Sequence, residues 1–186
     1  MPTVNVEYVG CTALVYCNAG ENLGRTIVKN YDKAENLITL QAFPKELNIG
    51  DICRLLVLTE PVPRECYGKV KSDVGEKVVA LFKWQEKEKR GASRFKVNFS
   101  AFIEEMIYNN KSYELLKPYE INLINISTGG MRFYAVPNTV SHDDRFQIRI
   151  YLNTDVKVLT AHIVNNRQTA PDRIEYGCRF IDKKRE

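Results

Sequence analysis

The feature that most constrains this chain is a period of two that recurs in short segments from one end to the other. In FQIRIYL, residues 146–152, Phe146, Ile148, Ile150 and Leu152 alternate with Gln147, Arg149 and Tyr151, and in VNVEY, residues 4–8, Val4, Val6 and Tyr8 alternate with Asn5 and Glu7. Successive side chains of a strand point to opposite faces, so this alternation reads as half-buried β-strands. Further strands are expected at 12–17, 37–43, 52–59, 65–72, 77–83, 94–103, 118–127, 130–135, 156–164 and 173–181. Turn chemistry separates several of them, at Asn48-Ile49-Gly50-Asp51, Asp73-Val74-Gly75-Glu76 and Val136-Pro137-Asn138. The expected fold is all-β, with short strands packed as barrels or sandwiches. Helical signals are weak. YDKAENL, 31–37, has the composition for a turn or two of helix, while SAFIEEMI, 100–107, keeps the period of two that starts at Phe95 and is read as strand.

The alternation stops at KWQEKEKRGAS, residues 83–93, where charged residues take over. A polar segment between two strand-rich blocks reads as an exposed linker. The expected division is therefore a first domain over 1–84, a linker over 85–94 and a second domain over 95–186. Such lengths suffice for two small cores. Arg90 and Arg94 sit in the linker four residues apart. A helical face is disfavoured there, because Gly91 and Ser93 weaken a helix and no apolar stripe gives it a surface to pack on.

Composition excludes several classes. Five cysteines, Cys11, Cys17, Cys53, Cys66 and Cys178, are scattered without a C-x-x-C pair, which speaks against a disulfide framework and a zinc site. A net charge of +4 tolerates an anionic partner but falls short of a dedicated duplex-DNA binder. No apolar run is long enough to span a membrane and MPTVNVEY lacks the features of a secretory signal, so a cytoplasmic location is expected. His142 and His162 lack clustered partners, Asp143 and Asp144 lack metal-ligand spacing, and no nucleophile–base pair or P-loop is evident, so neither an enzyme nor a metal site is expected. Trp84, at the head of the linker, is read as a packing residue.

The chemistry concentrates in a second stretch, INISTGGMRF, residues 124–133. If the chain is extended through Ser127, then Asn125 and Ser127 face the same side, followed at once by Gly129 and Gly130, which allow close approach to the main chain. An amide, a hydroxyl and bare backbone beside two forked guanidiniums suit a planar, phosphate-bearing ligand, since arginine bonds phosphate oxygens or the O6/N7 edge of guanine and stacks on a base.

Arg90-Gly-Ala-Ser-Arg94 followed about thirty residues later by Asn125-Ile-Ser127-Thr-Gly-Gly130 resembles the R-x-x-x-R and N-x-S-x-x-G pair of the PilZ domain, the receptor module for the bacterial second messenger cyclic di-GMP. Phe95 after the second arginine, the continuation GGMRF and the closing EYGCRFID, 175–182, extend the likeness over roughly residues 85–186. More loosely, the strand run NLGRTIVKNYDKAENLITLQAFP, with its extended pair, and CYGKVKSDVGEKVVALF are similar to the N-terminal domain of YcgR-like proteins. The resemblance implies two small β-barrels, a YcgR-like split barrel and a six-stranded antiparallel PilZ barrel, joined by a flexible linker. It implies no cofactor beyond the ligand, cyclic di-GMP. Arg90 and Arg94 would contact phosphates and guanine edges, Asn125 and Ser127 the bases, and Gly130 would let the ligand approach the main chain, with Lys89, Gly129, Arg132 and Arg179 as secondary contacts.

Lys89 stands where such proteins often carry a further arginine, keeping the charge without the planar fork, so that either one ligand or an intercalated pair remains open. Asn125 replaces an aspartate within the family's pattern. The implied output is control of a protein partner such as the flagellar motor or a polysaccharide machinery, in motility or biofilm regulation. Two non-enzymatic alternatives stand beside it: a PilZ-like interaction scaffold that binds no nucleotide, and a barrel that binds single-stranded nucleic acid through its aromatic residues.

Overall fold

A computed structural model of the chain describes residues 7–41, 47–82, 93–152 and 155–181. Every regular element among them is a strand: β1 (Thr12–Cys17), β2 (Asn22–Asp32), β3 (Leu37–Leu40), β4 (Ile52–Val57), β5 (Arg64–Val74), β6 (Glu76–Phe82), β7 (Phe95–Tyr108), β8 (Lys111–Ile126), β9 (Gly130–Ala135), β10 (Arg145–Leu152), β11 (Asp155–Ala170) and β12 (Arg173–Phe180). They form two closed antiparallel barrels, ordered β1-β2-β3-β6-β5-β4 and β10-β11-β12-β9-β8-β7, and the chain divides into two compact units on the same lines. Closure pairs the strands that would otherwise be sheet edges, and a short alternating sequence then needs only one apolar face.

That face is supplied by the residues the alternation selects. Val15, Val28, Ile38, Leu55, Val70 and Val79 fill the first barrel, and Phe133, Phe146, Ile148, Ile150 and Ile163 lie fully buried in the second. Phe133 stacks on Tyr176 at 5.3 Å and meets Phe146 edge to face at 6.2 Å, geometries that suit the ring quadrupoles.

The described residues between 31 and 37 form a hairpin turn where the sequence suggested helix. Asp32 Oδ1 accepts from the backbone N–H of Ala34 at 2.9 Å and of Glu35 at 3.1 Å, and Asn36 takes a φ of 54°. An Asx turn of this kind offers the backbone its bonds locally, and a helix without an apolar stripe cannot compete. SAFIEEMI lies within β7. β8 begins at Lys111, seven residues before the expected 118, because Asn109 and Asn110, with φ of 48° and 59°, make a two-residue hairpin turn. Tyr8 lies outside any strand and packs edge to face on Tyr31 at 4.8 Å. The rest of VNVEY before Glu7, like Trp84, Lys89 and Arg90 in the linker, falls outside the described residues.

Candidate functional site

The N-x-S-x-x-G stretch crosses from the end of β8 into β9, and its local geometry follows from the serine. β8 stops at Ile126, and Ser127 opens a tight turn in which its N–H donates to the Gly130 carbonyl at 2.8 Å. The Ser127 hydroxyl donates to the same carbonyl at 3.1 Å and accepts from the Gly129 N–H at 3.3 Å. A hydroxyl has a single proton, so Ser127 can offer a ligand only its remaining acceptor capacity. Its first effect is to hold the turn. The turn is tied to β12 by the Phe180 N–H, which donates to the Gly129 carbonyl at 3.1 Å.

The two glycines serve different ends. At Gly130 a Cβ would stand 2.0 Å from the Cys178 carbonyl oxygen on β12, so glycine is required by strand packing; at Gly129 a Cβ would meet nothing within 4 Å. Neither takes a left-handed φ.

Asn125 reaches the outer surface through a β-bulge. Leu123 pairs with Phe133 and Asn125 with Arg132, so Ile124 is the extra residue. Strict alternation after Leu123, itself buried, would aim Asn125 into the core; the inserted residue turns it outward and gives the inward position to Ile126.

Arg94, Asn125, Ser127, Gly129, Gly130, Arg132 and Arg179 all line one open pocket of about 200 Å³ on the second barrel. The structure thus brings together every described residue expected to touch the ligand. Among the described residues the lining holds three arginines and no carboxylate, which gives the pocket a field that favours anions. The three are not equivalent. Arg132 Nη1 lies 2.5 Å from Glu175 Oε1, and Arg167 Nη2 lies 3.2 Å from Glu175 Oε2. Glu175 is buried, so its charge holds Arg132 in place and neutralises part of it. Arg94 and Arg179 are exposed and make no ion pair among the described residues. Burial pushes the Cys178 thiol up, so the sulfur behind the turn is neutral at physiological pH.

Asn165 and Gly177 also line the pocket, and the reading of the sequence missed both. A break in alternation at Ile163-Val164 precedes two asparagines, but nothing in the sequence separates Asn165 from Asn166 or marks Gly177. Among the described residues, no group of three or more His, Cys, Asp or Glu side chains is placed to hold a metal ion, and no helix is long and apolar enough to cross a membrane.

The PilZ domain family pattern matches residues 86–186, more than half of the chain. No curated protein matches it. Among solved structures, the chain is similar to the Bacillus subtilis inhibitor of motility MotI/DgrA, at 12% identity over 94% of this chain and 88% of that one, with a TM-score of 0.37. It is also similar to YcgR from Escherichia coli in complex with c-di-GMP, at 11% identity over 93% and 76% with a TM-score of 0.38. A third is the MrkH–c-di-GMP complex of K. pneumonia, at 14% identity over 94% and 80% with a TM-score of 0.36.

Proposed function

The chain belongs to the PilZ domain family, and on that premise we propose that it is a non-enzymatic, cytoplasmic receptor for cyclic di-GMP that takes no other cofactor. The observation that carries the reading is the convergence of Arg94, Asn125, Ser127 and Gly130 on one pocket whose lining, among the described residues, is cationic and free of carboxylates. A cyclic dinucleotide carries two phosphodiesters and two guanines, and the pocket offers guanidiniums for the first and side-chain amides for the second.

In this reading Arg94 and Arg179 supply unpaired charge to the phosphates, and Arg132, held by Glu175, supplies a fixed fork. Asn125 bonds a base edge. Ser127 holds the turn that presents them. Arg90, four residues before Arg94 in the motif, adds a second guanidinium from the segment that joins the two barrels. The ligand binds the arrangement in which both arginines engage it and shifts the population toward that arrangement. The two units are thereby reoriented to bind or release a protein partner, in control of motility or biofilm formation.

Isothermal titration with cyclic di-GMP tests this, with GTP as control and Arg90→Ala/Arg94→Ala alongside. The expected result is micromolar or tighter affinity, about −8 kcal/mol or better, lost in the double variant and absent for GTP. No heat and no thermal shift at saturating ligand would replace the receptor with an interaction scaffold that binds no nucleotide.

A further inference from the structure

The pairing of four adjacent strands places one continuous row of residues across the outside of the second barrel. Asn165 of β11 pairs with Gly177 of β12, Gly177 with Arg132 of β9, and Arg132 with Asn125 of β8. All four line the pocket. The row reads amide, bare backbone, guanidinium, amide, and three strand spacings put its two ends about 14 Å apart.

Both amides owe their place to the same device. β11 carries a bulge between Ile163 and Asn165, as β8 does between Leu123 and Asn125. In each case a buried aliphatic residue, Ile163 or Leu123, is followed by an extra aliphatic residue and then by asparagine. Without the extra residue the asparagine would point into the barrel; with it, the asparagine points out. Gly177 completes the arrangement. A Cβ there would lie 2.4 Å from Asn165 Oδ1 and 3.1 Å from its Cγ, so the Asn165 amide rests over space that only glycine leaves open.

We propose that Asn165 is a second base-reading residue, which receives one guanine of the cyclic dinucleotide while Asn125 receives the other. The inference rests on the receptor reading above and adds a residue outside the R-x-x-x-R and N-x-S-x-x-G motifs. Its basis is the match of symmetry. A cyclic di-nucleotide is two identical bases on either side of a ring of phosphates, and the row is two amides on either side of a guanidinium. The Watson–Crick edge of guanine carries the N1–H and N2–H donors, and the Asn165 carbonyl oxygen accepts from them. Gly177 leaves room for the Asn165 amide to lie against the sheet on the side of the guanidinium.

The test is a two-by-two titration: wild type and Asn165→Ala, each against cyclic di-GMP and cyclic di-IMP, the same ring without the exocyclic amine. Wild type is expected to prefer cyclic di-GMP. In Asn165→Ala, affinity for cyclic di-GMP falls about tenfold, the loss of one or two hydrogen bonds to a buried edge, and the preference over cyclic di-IMP shrinks by several-fold. Asn165 is exposed, so the variant folds, which an unchanged urea midpoint checks. Unchanged affinity overturns the proposal, and so does an equal loss for both ligands, which would mean that Asn165 only shapes the surface. If wild type binds neither ligand, it is the receptor reading that fails.

Discussion

Gly130 and Cys178 face each other across β9 and β12 so closely that a Cβ on residue 130 would stand 2.0 Å from the Cys178 carbonyl oxygen and 3.0 Å from its carbon. The obstruction is backbone, which cannot rotate away as a side chain would. Gly130→Ala is therefore expected to cost about 2 kcal/mol, in the range of overpacking a tight site, and to loosen the Ser127 turn. Gly129→Ala meets open space at an ordinary φ and is expected to change stability by no more than about 0.5 kcal/mol. Urea denaturation of the two variants checks the contrast. Equal effects would mean that the motif glycine is not dictated by strand packing.

The three arginines of the pocket are expected to separate stability from binding. Arg132→Ala leaves the buried Glu175 carboxylate with Arg167 alone among its ion pairs seen here. The 32% exposure of the Arg132 side chain tempers the loss to about 2 kcal/mol. Arg94→Ala and Arg179→Ala, exposed and without an ion pair among the described residues, are expected to leave stability within about 0.5 kcal/mol while weakening cyclic di-GMP binding. Chemical denaturation run beside titration distinguishes the two classes. A stable Arg132→Ala would show that Glu175 does not depend on it.

Much of this was legible in the sequence, and the illegible parts have two physical causes. Alternation over 146–152 located β10 within a residue because one face is core and the other solvent. The distal part of β8, Lys111–Lys117, was invisible because neither of its faces is buried, so no period is imposed on it. The motif residues were found by spacing, but Asn165 was not. In IVNNRQ nothing local separates Asn165 from Asn166; what distinguishes it is a one-residue bulge and a glycine on the next strand, and both are matters of register.

Alkaline pH is expected to weaken the first barrel through Cys53. Burial, with a smaller contribution from Asp51, raises this thiol from 9.0 to about 12. A folded-state pKa above the unfolded one favours the protonated thiol in the native state. The contribution is therefore complete below pH 9 and is lost as pH rises toward 12. Tyr16, also raised to about 12 by burial, acts in the same direction and is common to both proteins compared. Urea midpoints at about pH 8 and about pH 11 are expected to fall more for wild type than for Cys53→Ala. Parallel falls would assign the pH dependence to other groups.

Gly177→Ala probes the placement of Asn165 without removing it. The new methyl group would meet Asn165 Oδ1 at 2.4 Å and its Nδ2 at 3.2 Å, while the nearest atoms are all side chain. The asparagine can swing aside, so the cost in stability is expected to stay under about 1 kcal/mol. The amide is then displaced from its position at the end of the row and the floor beside Arg132 is raised. Affinity for cyclic di-GMP is expected to fall at least as far as in Asn165→Ala, and the double variant to bind no worse than Gly177→Ala alone, because the glycine acts partly through the amide. Fully additive losses would mean that Gly177 and Asn165 serve the ligand separately.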